Sequence, residues 1–293
     1  MMNAPDTARA STGRRIDLHT HSMISDGSMT PEELIDHASD AGLAAIALTD
    51  HDTVGGLDRA EARAQRRGIE FVPGVEISTE YKTQIHVLGY YIDRSSPYLN
   101  DAFSTMQEER KRTHERYLEV LNAAGLKMTD EEVRAVSGDA GIGRAHYARV
   151  MMDKGYVQSV KEAFDRYLHV GAPCYVKRDV MHAFDAIGLI HKAGGLAFFA
   201  HPHQTGLNDR EIFELMTELK EHKLDGVEGY YSEYTPEMGE KFRKMASELG
   251  LLLSGGSDFH AKMKPHIEIG RGINNNLFVD YSVLEKIKKR LTK

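Results

Sequence analysis

Two kinds of feature are scarce in this chain of 293 residues, and each shortage excludes a class of protein. There is one cysteine, Cys174. A lone thiol can form neither an internal disulfide nor a four-cysteine zinc site, and it suits a reducing compartment. No apolar run approaches the roughly 20 residues that cross a bilayer. We therefore expect no membrane association.

The beginning of the sequence also lacks an apolar stretch. Residues 1–13 are small and polar, so they do not have the pattern of a secretory signal. We expect residues 1–14 to form a disordered tail and the protein to be cytoplasmic.

The chain has no excess of positive charge. Lys and Arg number 37 against 44 Asp and Glu, which gives a net charge of −7. This balance argues against a broad basic face that binds long nucleic acid. It does not exclude a small phosphorylated substrate, because bound divalent ions would reverse the charge locally.

Short apolar runs alternate with amphipathic helical stretches through most of the sequence, which predicts the α/β class. The alternation covers residues 15–96 and 176–293, and we expect these to form a barrel of about seven strands. Consecutive strands are predicted at 69–75 and 84–92, with no helix between them. Residues 97–175 are helical in pattern, with a first helix at 102–124, and predict an inserted subdomain over the active-site mouth.

Residues that can bind metal ions follow several predicted strands at the point where each strand ends. His19 and His21 follow the first strand, and the third strand is predicted to end at Glu76. Because the carboxyl ends of parallel barrel strands meet at one mouth, we expect such side chains to lie together. Asp26 and His86 lie close to these strand ends in sequence and are added to the set. The nine candidate ligands are His19, His21, Asp26, His51, Glu76, His86, His201, Asp258 and His260.

The candidate ligands are mostly imidazoles, with some carboxylates. His19 and His21 stand two residues apart, as do Asp258 and His260, and this spacing places both members of a pair on one side of a strand. No single ion can use nine ligands, so the pattern indicates a cluster of two or three divalent ions. The ligand mixture suits Zn²⁺, Mn²⁺ or Fe²⁺, and such clusters cleave phosphate esters.

Five segments of the chain carry a family resemblance. They are HTHSMISDG at 19–27, LTDHD at 48–52, GVE at 74–76, AHP at 200–202 and SDFH at 257–260. Together they resemble the motifs of the PHP (polymerase and histidinol phosphatase) family, and the resemblance extends from residue 15 to about residue 290.

The resemblance implies a distorted (β/α)₇ barrel with a trinuclear metal site, for which Mn²⁺ is the expected ion. It assigns ligands to three ions: His19, His21, Glu76 and Asp258 to the first, Asp26, His51 and His260 to the second, and a bridging Glu76 with His86 and His201 to the third. Four of these residues would hold the metal-bound hydroxide that attacks phosphorus: Asp26, His51, Asp258 and His260.

The insertion contains a further motif, GRAHYAR at 143–149, which resembles the segment of this family that reaches the substrate phosphate. Arg144 offers a planar fork suited to phosphate, and His146 can add a hydrogen-bond donor. The alternative for this segment is an ordinary solvated helix start. His203, two residues past His201, either faces the substrate or is simply exposed.

Within the family, the chain resembles the stand-alone phosphoesterases, which include 3′,5′-nucleoside bisphosphate phosphatases and ribonuclease AM. This implies removal of the 3′-phosphate from 3′,5′-bisphosphonucleotides, or 5′→3′ trimming of short RNA. Two alternatives stay open. One is a histidinol-phosphate phosphatase, against which the helical insertion weighs, and the other is a non-catalytic metal-binding module. No obligatory protein partner is evident from the sequence.

Overall fold

The computed structural model describes residues 13–137 and 142–292. Residues 1–12, which make up most of the predicted disordered tail, lie outside this part of the chain, as do residues 138–141. Among the described residues, no helix combines the length and the apolar character that crossing a bilayer requires.

The described residues form one nine-stranded sheet that curves into a nearly closed barrel. The strands are β1 (Arg15–Asp17), β2 (Ala45–Leu48), β3 (Glu70–Tyr81), β4 (Thr83–Tyr90), β5 (Met181–His182), β6 (Leu196–Phe199), β7 (Gly226–Tyr231), β8 (Leu252–Gly256) and β9 (Val279–Asp280). Their order is β8-β7-β6-β4-β3-β2-β1-β9, with β5 beside β3. The run from β8 to β1 closes on itself, because Leu18 N–H donates to the Gly255 carbonyl (3.1 Å) and Asp258 N–H donates to the His19 carbonyl (2.8 Å).

Helices accompany the sheet, and their caps explain where several begin. They are α1 (Pro31–Asp40), α2 (Leu57–Arg67), α3 (Pro97–Ala123), α4 (Asp130–Ser137), α5 (Arg144–Asp153), α6 (Val160–Ala163), α7 (Ala183–Lys192), α8 (Asp209–Glu221), α9 (Pro236–Leu249) and α10 (Ser282–Leu291). At the start of α1, the Thr30 hydroxyl accepts from Glu33 N–H, while the Glu33 carboxylate accepts from Thr30 N–H (2.8 Å). This reciprocal pair satisfies two amide donors that no helical bond reaches.

Alternate residues of the strands belong to two apolar layers. Ile46 and Leu48 of β2 pack with residues of α1 and α2 outside the barrel, whereas Ala45 and Ala47 belong to the interior cluster. Leu284 of α10 joins the same interior cluster. The period of two along each strand therefore builds both layers, and the predicted α/β barrel is confirmed.

The prediction that the third strand ends at Glu76 is wrong. Strand β3 continues to Tyr81 and pairs antiparallel with β4, and the two strands meet at Lys82, whose φ of 58° lies in the left-handed region. Glu76 and His86 therefore lie inside a hairpin rather than at strand ends. Within this hairpin His86 stands opposite Ser78.

The segment between β4 and β5 is helical, as predicted, but its first helix begins at Pro97 instead of residue 102. Proline suits the first turn of a helix, where its missing N–H has no partner to lose. Leu99 of α3 packs on the outer layer of the barrel, while Tyr117 and Leu121 join a separate apolar cluster made of residues 117–176. A separate cluster supports the predicted insertion. The boundaries of the insertion, at residues 97 and 175, stay a prediction.

Replacement of Gly226 should test how tightly the barrel wall is packed. A Cβ at this buried position would overlap the Phe198 ring and lie 2.7 Å from the Leu252 carbonyl oxygen. We expect Gly226→Ala to lower the free energy of unfolding by about 1–3 kcal/mol through overpacking, measured by urea unfolding. The control is Gly188→Ala in α7, where a Cβ meets no atom within 4 Å. There the higher helix propensity of alanine should raise the free energy of unfolding by about 0.5–1 kcal/mol. An unchanged urea midpoint for Gly226→Ala would contradict this packing.

Candidate metal centre

The nine predicted metal ligands come together at one end of the barrel. They come from the loop after β1 (His19, His21, Asp26), from positions just after β2, β6 and β8 (His51, His201, Asp258, His260), and from the hairpin (Glu76, His86). Only Asp26, His51 and His86 among them are partly exposed, and the other six are buried. The partly exposed residues mark the open side of the cluster.

One group of ligand atoms comprises His19, His21, Glu76 and Asp258, and these atoms lie within 4.8 Å of one another. His19 Nε2 lies 3.1 Å from Glu76 Oε2, and His21 Nε2 lies 3.2 Å from both Glu76 Oε2 and Asp258 Oδ1. Two ligands about 2.1 Å from an ion in tetrahedral geometry are about 3.4 Å apart. The group matches the set that the resemblance assigns to the first ion.

Two further groups share residues with the first. One contains His21, Asp26, His51 and His260, which adds His21 to the expected second set; the other contains His51, Glu76 and His86. His201 was expected in this third set in place of His51. His201 Nε2 nevertheless lies 2.8 Å from Glu76 Oε1, and His86 Nδ1 lies 2.9 Å from the same atom. Glu76 thus stands between groups, as a bridging ligand would.

Unpartnered nitrogen atoms show that the cluster fits cations. Among the described residues, both ring nitrogens of His21 and Nδ1 of His51 are buried without a hydrogen-bond partner. Leaving buried polar atoms unsatisfied is costly, and a coordinated ion would satisfy them. The imidazole and carboxylate mixture suits borderline divalent ions.

Burial and charge together set the protonation of the cluster. Burial alone would raise the pKa of Glu76, but the neighbouring imidazoles hold that pKa well below its usual range. Burial lowers the pKa of His51 to about 4. Burial also opposes charge on His21, yet the nearby carboxylates of Asp258 and Glu76 raise its pKa to about 10. Glu76 and His51 are therefore in ligand form at neutral pH, and a bound ion would replace the proton of His21.

The backbone at the cluster adopts a conformation that most residues avoid. His201 has a φ of 28° and Asp258 a φ of 57°. Positive φ at residues other than glycine costs energy and persists where surrounding contacts enforce it. Here the strand ends turn sharply, and the two side chains face the cluster.

Residues outside the predicted set orient the predicted metal ligands. Glu228 of β7 is fully buried, lies 3.0 Å from His19 Nδ1, and accepts a hydrogen bond from the His201 N–H (2.8 Å). A carboxylate behind a metal-binding imidazole fixes its tautomer and orientation. The signal for it was a glutamate inside an apolar strand, GVEGYY at 226–231.

Asp258 is oriented in a similar way. The Tyr231 hydroxyl and the Lys264 ammonium both donate to Asp258 Oδ2, at 2.7 Å and 2.6 Å. The other oxygen, Oδ1, faces His19 and His21 at 3.5 Å and 3.2 Å. The carboxylate therefore presents one oxygen to the cluster.

A cavity of about 710 Å³ lies between the hairpin, the insertion helices and the segment up to residue 180. Its wall contains four basic side chains, Arg110, Arg144, Lys177 and Arg178, and one acidic side chain, Glu80. Arg110 also forms an ion pair with Asp52, the residue that follows His51. The positively charged cavity is thus tied to a loop that carries a predicted metal ligand.

The structure places Arg144 in the cavity wall but His146 elsewhere. Arg144 donates to the Leu168 carbonyl (3.3 Å) and lies over the ring of Tyr175. His146 does not line the cavity, and its Nδ1 accepts a hydrogen bond from Gly143 N–H (3.0 Å) at the start of α5.

His203 lies beside the predicted metal ligands. Its Nε2 is 3.3 Å from Glu233, and its ring lies 5.3 Å from the ring of Tyr231, which contacts Asp258. The substrate roles of Arg144, His146 and His203 stay predictions.

A distorted α/β barrel with a buried imidazole and carboxylate cluster at one end defines a class of metal-dependent hydrolases. The sequence model of the PHP domain matches residues 17–176, slightly more than half of the chain. This chain belongs to the PHP domain family. The predicted resemblance is confirmed, and so is the enzyme class, metal-dependent hydrolysis of phosphoric esters.

Two relatives are named for phosphoric ester hydrolysis, and a solved structure shares the fold. The chain is 37% identical to the 3′,5′-nucleoside bisphosphate phosphatase of Chromobacterium violaceum, over 87% of this chain and 90% of that protein. It is 34% identical to a 5′-3′ exoribonuclease of Haemophilus influenzae, over 89% and 95%. A solved structure described as an amidohydrolase from C. violaceum, with bound sulfate and no metal, superposes with a TM-score of 0.79 at 33% identity, over 94% of this chain and 96% of that one.

Glu228 offers a test of ligand orientation. Glu228→Gln should lower the affinity for Mn²⁺ by about 10–100-fold, because the amide holds the His19 ring in place less firmly than a carboxylate. Isothermal titration with Mn²⁺ measures this. Glu233→Gln is the control, since Glu233 contacts His203 and Gln204. Equal Mn²⁺ affinities of wild type and Glu228→Gln would contradict the role of Glu228.

Proposed function

We propose that this protein removes the 3′-phosphate from nucleoside 3′,5′-bisphosphates and trims short RNA from its 5′ end. One observation carries the proposal: a buried imidazole and carboxylate cluster is joined, through Arg110 and Asp52, to a basic cavity. A substrate with two phosphates can place one in each. The names of the relatives, a nucleoside bisphosphate phosphatase and a 5′-3′ exoribonuclease, support this substrate class.

The cluster is proposed to hold two or three divalent ions, with Mn²⁺ as the first expectation. The ligand sets follow the three groups of atoms described above, with Glu76 shared and His201 beside it. When bound, such ions lower the pKa of a water molecule and neutralise phosphate oxygens. All nine predicted ligands belong to this proposal: His19, His21, Asp26, His51, Glu76, His86, His201, Asp258 and His260.

The side chains of the protein supply orientation around the reacting phosphate. Glu228 fixes His19, while Tyr231 and Lys264 fix Asp258. The open side of the cluster, at Asp26 and His51, is where a phosphate can enter. Ligands held in this way lose little freedom when the substrate binds, which favours the geometry needed for in-line attack.

The cavity is proposed to bind the phosphate that is not cleaved. Arg144 and Arg178 present guanidinium groups to it, and a planar guanidinium can donate two parallel hydrogen bonds to one phosphate. Val170 and Tyr175 add apolar surface to the wall against which a nucleobase can pack. A small substrate with one phosphate would leave these contacts unused.

Removal of single ligands should test the metal cluster. Asp258→Asn and His51→Ala should each abolish turnover of adenosine 3′,5′-bisphosphate and reduce the metal content, since the first replaces a charged carboxylate with a neutral amide and the second removes an imidazole. Turnover would be measured with added Mn²⁺ beside histidinol phosphate and short oligoribonucleotides, and metal by elemental analysis. The matched controls are Asp153→Asn and His169→Ala, which are exposed in the insertion.

Full turnover by either ligand variant would contradict the cluster mechanism. Faster hydrolysis of histidinol phosphate than of the bisphosphate by the wild-type protein would instead support the runner-up function, a histidinol-phosphate phosphatase.

Arg144 should test the second phosphate site. Arg144→Ala should raise KM for adenosine 3′,5′-bisphosphate about tenfold more than KM for 4-nitrophenyl phosphate, because only the first substrate has a second phosphate to bind. Steady-state kinetics measures both. The matched control is Arg149→Ala, since Arg149 is on the same helix but pairs with the exposed Asp153. Equal increases in KM for both substrates would remove Arg144 from this role.

A further inference from the structure

Three hydrogen-bonded side chains run from the surface of the insertion to the wall of the basic cavity. His114 Nε2 lies 2.7 Å from Asp130 Oδ1, and His114 Nδ1 lies 2.7 Å from the Tyr147 hydroxyl. His114 and Tyr147 both line the cavity. Asp130 is partly exposed, whereas His114 and Tyr147 are buried. The three residues come from α4, α3 and α5, and none belongs to the metal cluster.

The protonation of His114 decides what Tyr147 can offer to the cavity. A carboxylate only accepts, so His114 Nε2 carries a hydrogen toward Asp130. If the ring is neutral, Nδ1 accepts the Tyr147 hydroxyl hydrogen, and the phenol has only lone pairs left. If the ring is protonated, Nδ1–H donates to the Tyr147 oxygen, and the phenol hydrogen can turn toward the cavity.

We propose that Asp130, His114 and Tyr147 form a proton-linked anion contact, in which protonation of His114 makes Tyr147 a hydrogen-bond donor to a phosphate or sulfate group in the cavity. The inference rests on the proposed function, because it takes the cavity as the site of the second phosphate. The proton balance is simple. One proton moves from solvent to His114 Nδ1 when the anion binds, and it returns to solvent when the anion leaves.

Tyr147 itself stays protonated in this arrangement. Burial raises the pKa of its phenol, with Tyr117 and Asp130 adding to the effect. The ring is held by stacking against Tyr117 at a centroid distance of 4.8 Å. The group that links the other two is the imidazole of His114, whose two nitrogens face Asp130 and the Tyr147 hydroxyl.

The charges around the trio make anion binding and protonation support each other. Arg134 of α4 donates to Asp130 (2.8 Å), and the other charged groups of the cavity wall are Arg110, Arg144, Lys177, Arg178 and Glu80. The cavity wall therefore carries an excess of cations before an anion binds. A bound anion offsets the cations, so it favours the protonated ring, and by linkage the protonated ring favours the anion.

The test uses adenosine 5′-monosulfate, whose charge stays fixed near neutral pH. Isothermal titration of the full-length, Mn²⁺-loaded protein, in two buffers of different ionisation heat, measures both affinity and proton uptake. For the wild type we expect proton uptake on binding and about a tenfold loss of affinity between about pH 6.5 and about pH 8.5, the effect of one hydrogen bond to a charged group.

Two variants and a matched control isolate the trio. His114→Gln and Tyr147→Phe should bind the sulfate ester more weakly at the lower pH, and the pH dependence and proton uptake of the wild type should be lost in both. Tyr147→Phe keeps the aromatic ring that packs on Tyr117, and thermal unfolding verifies that each variant is folded. His169→Gln, an exposed histidine of the same insertion, should behave as the wild type.

The outcomes separate this inference from the proposed function. Unchanged pH dependence and proton uptake in folded His114→Gln would overturn the proton-linked contact and leave the cavity site intact. If Arg144→Ala does not weaken binding of the sulfate ester, this result would instead contradict the cavity as an anion site. The proton-linked contact would then be contradicted as well.

Discussion

The buried charge of Glu76 is the constraint on which the rest of the site depends. Its carboxylate is almost fully buried and lies 2.8–3.4 Å from the rings of five histidines: His19, His21, His51, His86 and His201. A carboxylate removed from water without partners is strongly unfavourable. The five imidazoles come from four different segments, so the barrel must be assembled before this charge is compensated. The stability of the fold and the assembly of the site therefore depend on each other.

The hairpin of β3 and β4 places Glu76 among its imidazole partners and also connects the cluster with the basic cavity. Its inner part carries Glu76 and His86, and its outer part carries Glu80 and Gln84, which line the basic cavity. Residues 76 and 80 lie on the same face of β3 because the side-chain period of a strand is two. An antiparallel pair that extends beyond the barrel can reach both places, whereas a strand that ended at Glu76 could not. The ion pair between Arg110 and Asp52 is a second connection between the cluster and the basic cavity.

The sequence predicted the site correctly where the relevant residues are close together in the chain. The i, i+2 pairs His19/His21 and Asp258/His260 depend only on strand geometry, and all nine candidate ligands come together. The direction of β4 was also within reach: only eight residues separate the predicted strands at 75 and 84, too few for a parallel crossover of a dozen or more. Contacts made by tertiary packing were beyond reach. Nothing distinguishes Arg110 from its neighbours in a charge-rich helix until the fold places it against Asp52.

The insertion has its own apolar cluster, separate from the two clusters of the barrel. The part of the cavity wall formed by residues 142–176 can therefore change without disturbing the partners of Glu76, because these residues pack in a different cluster. Relatives of similar identity are named for different phosphate esters, a nucleoside bisphosphate and RNA. Among the described residues, the candidate metal ligands lie at strand ends and in the hairpin, whereas much of the basic cavity is lined by α3, α5 and the segment up to residue 180.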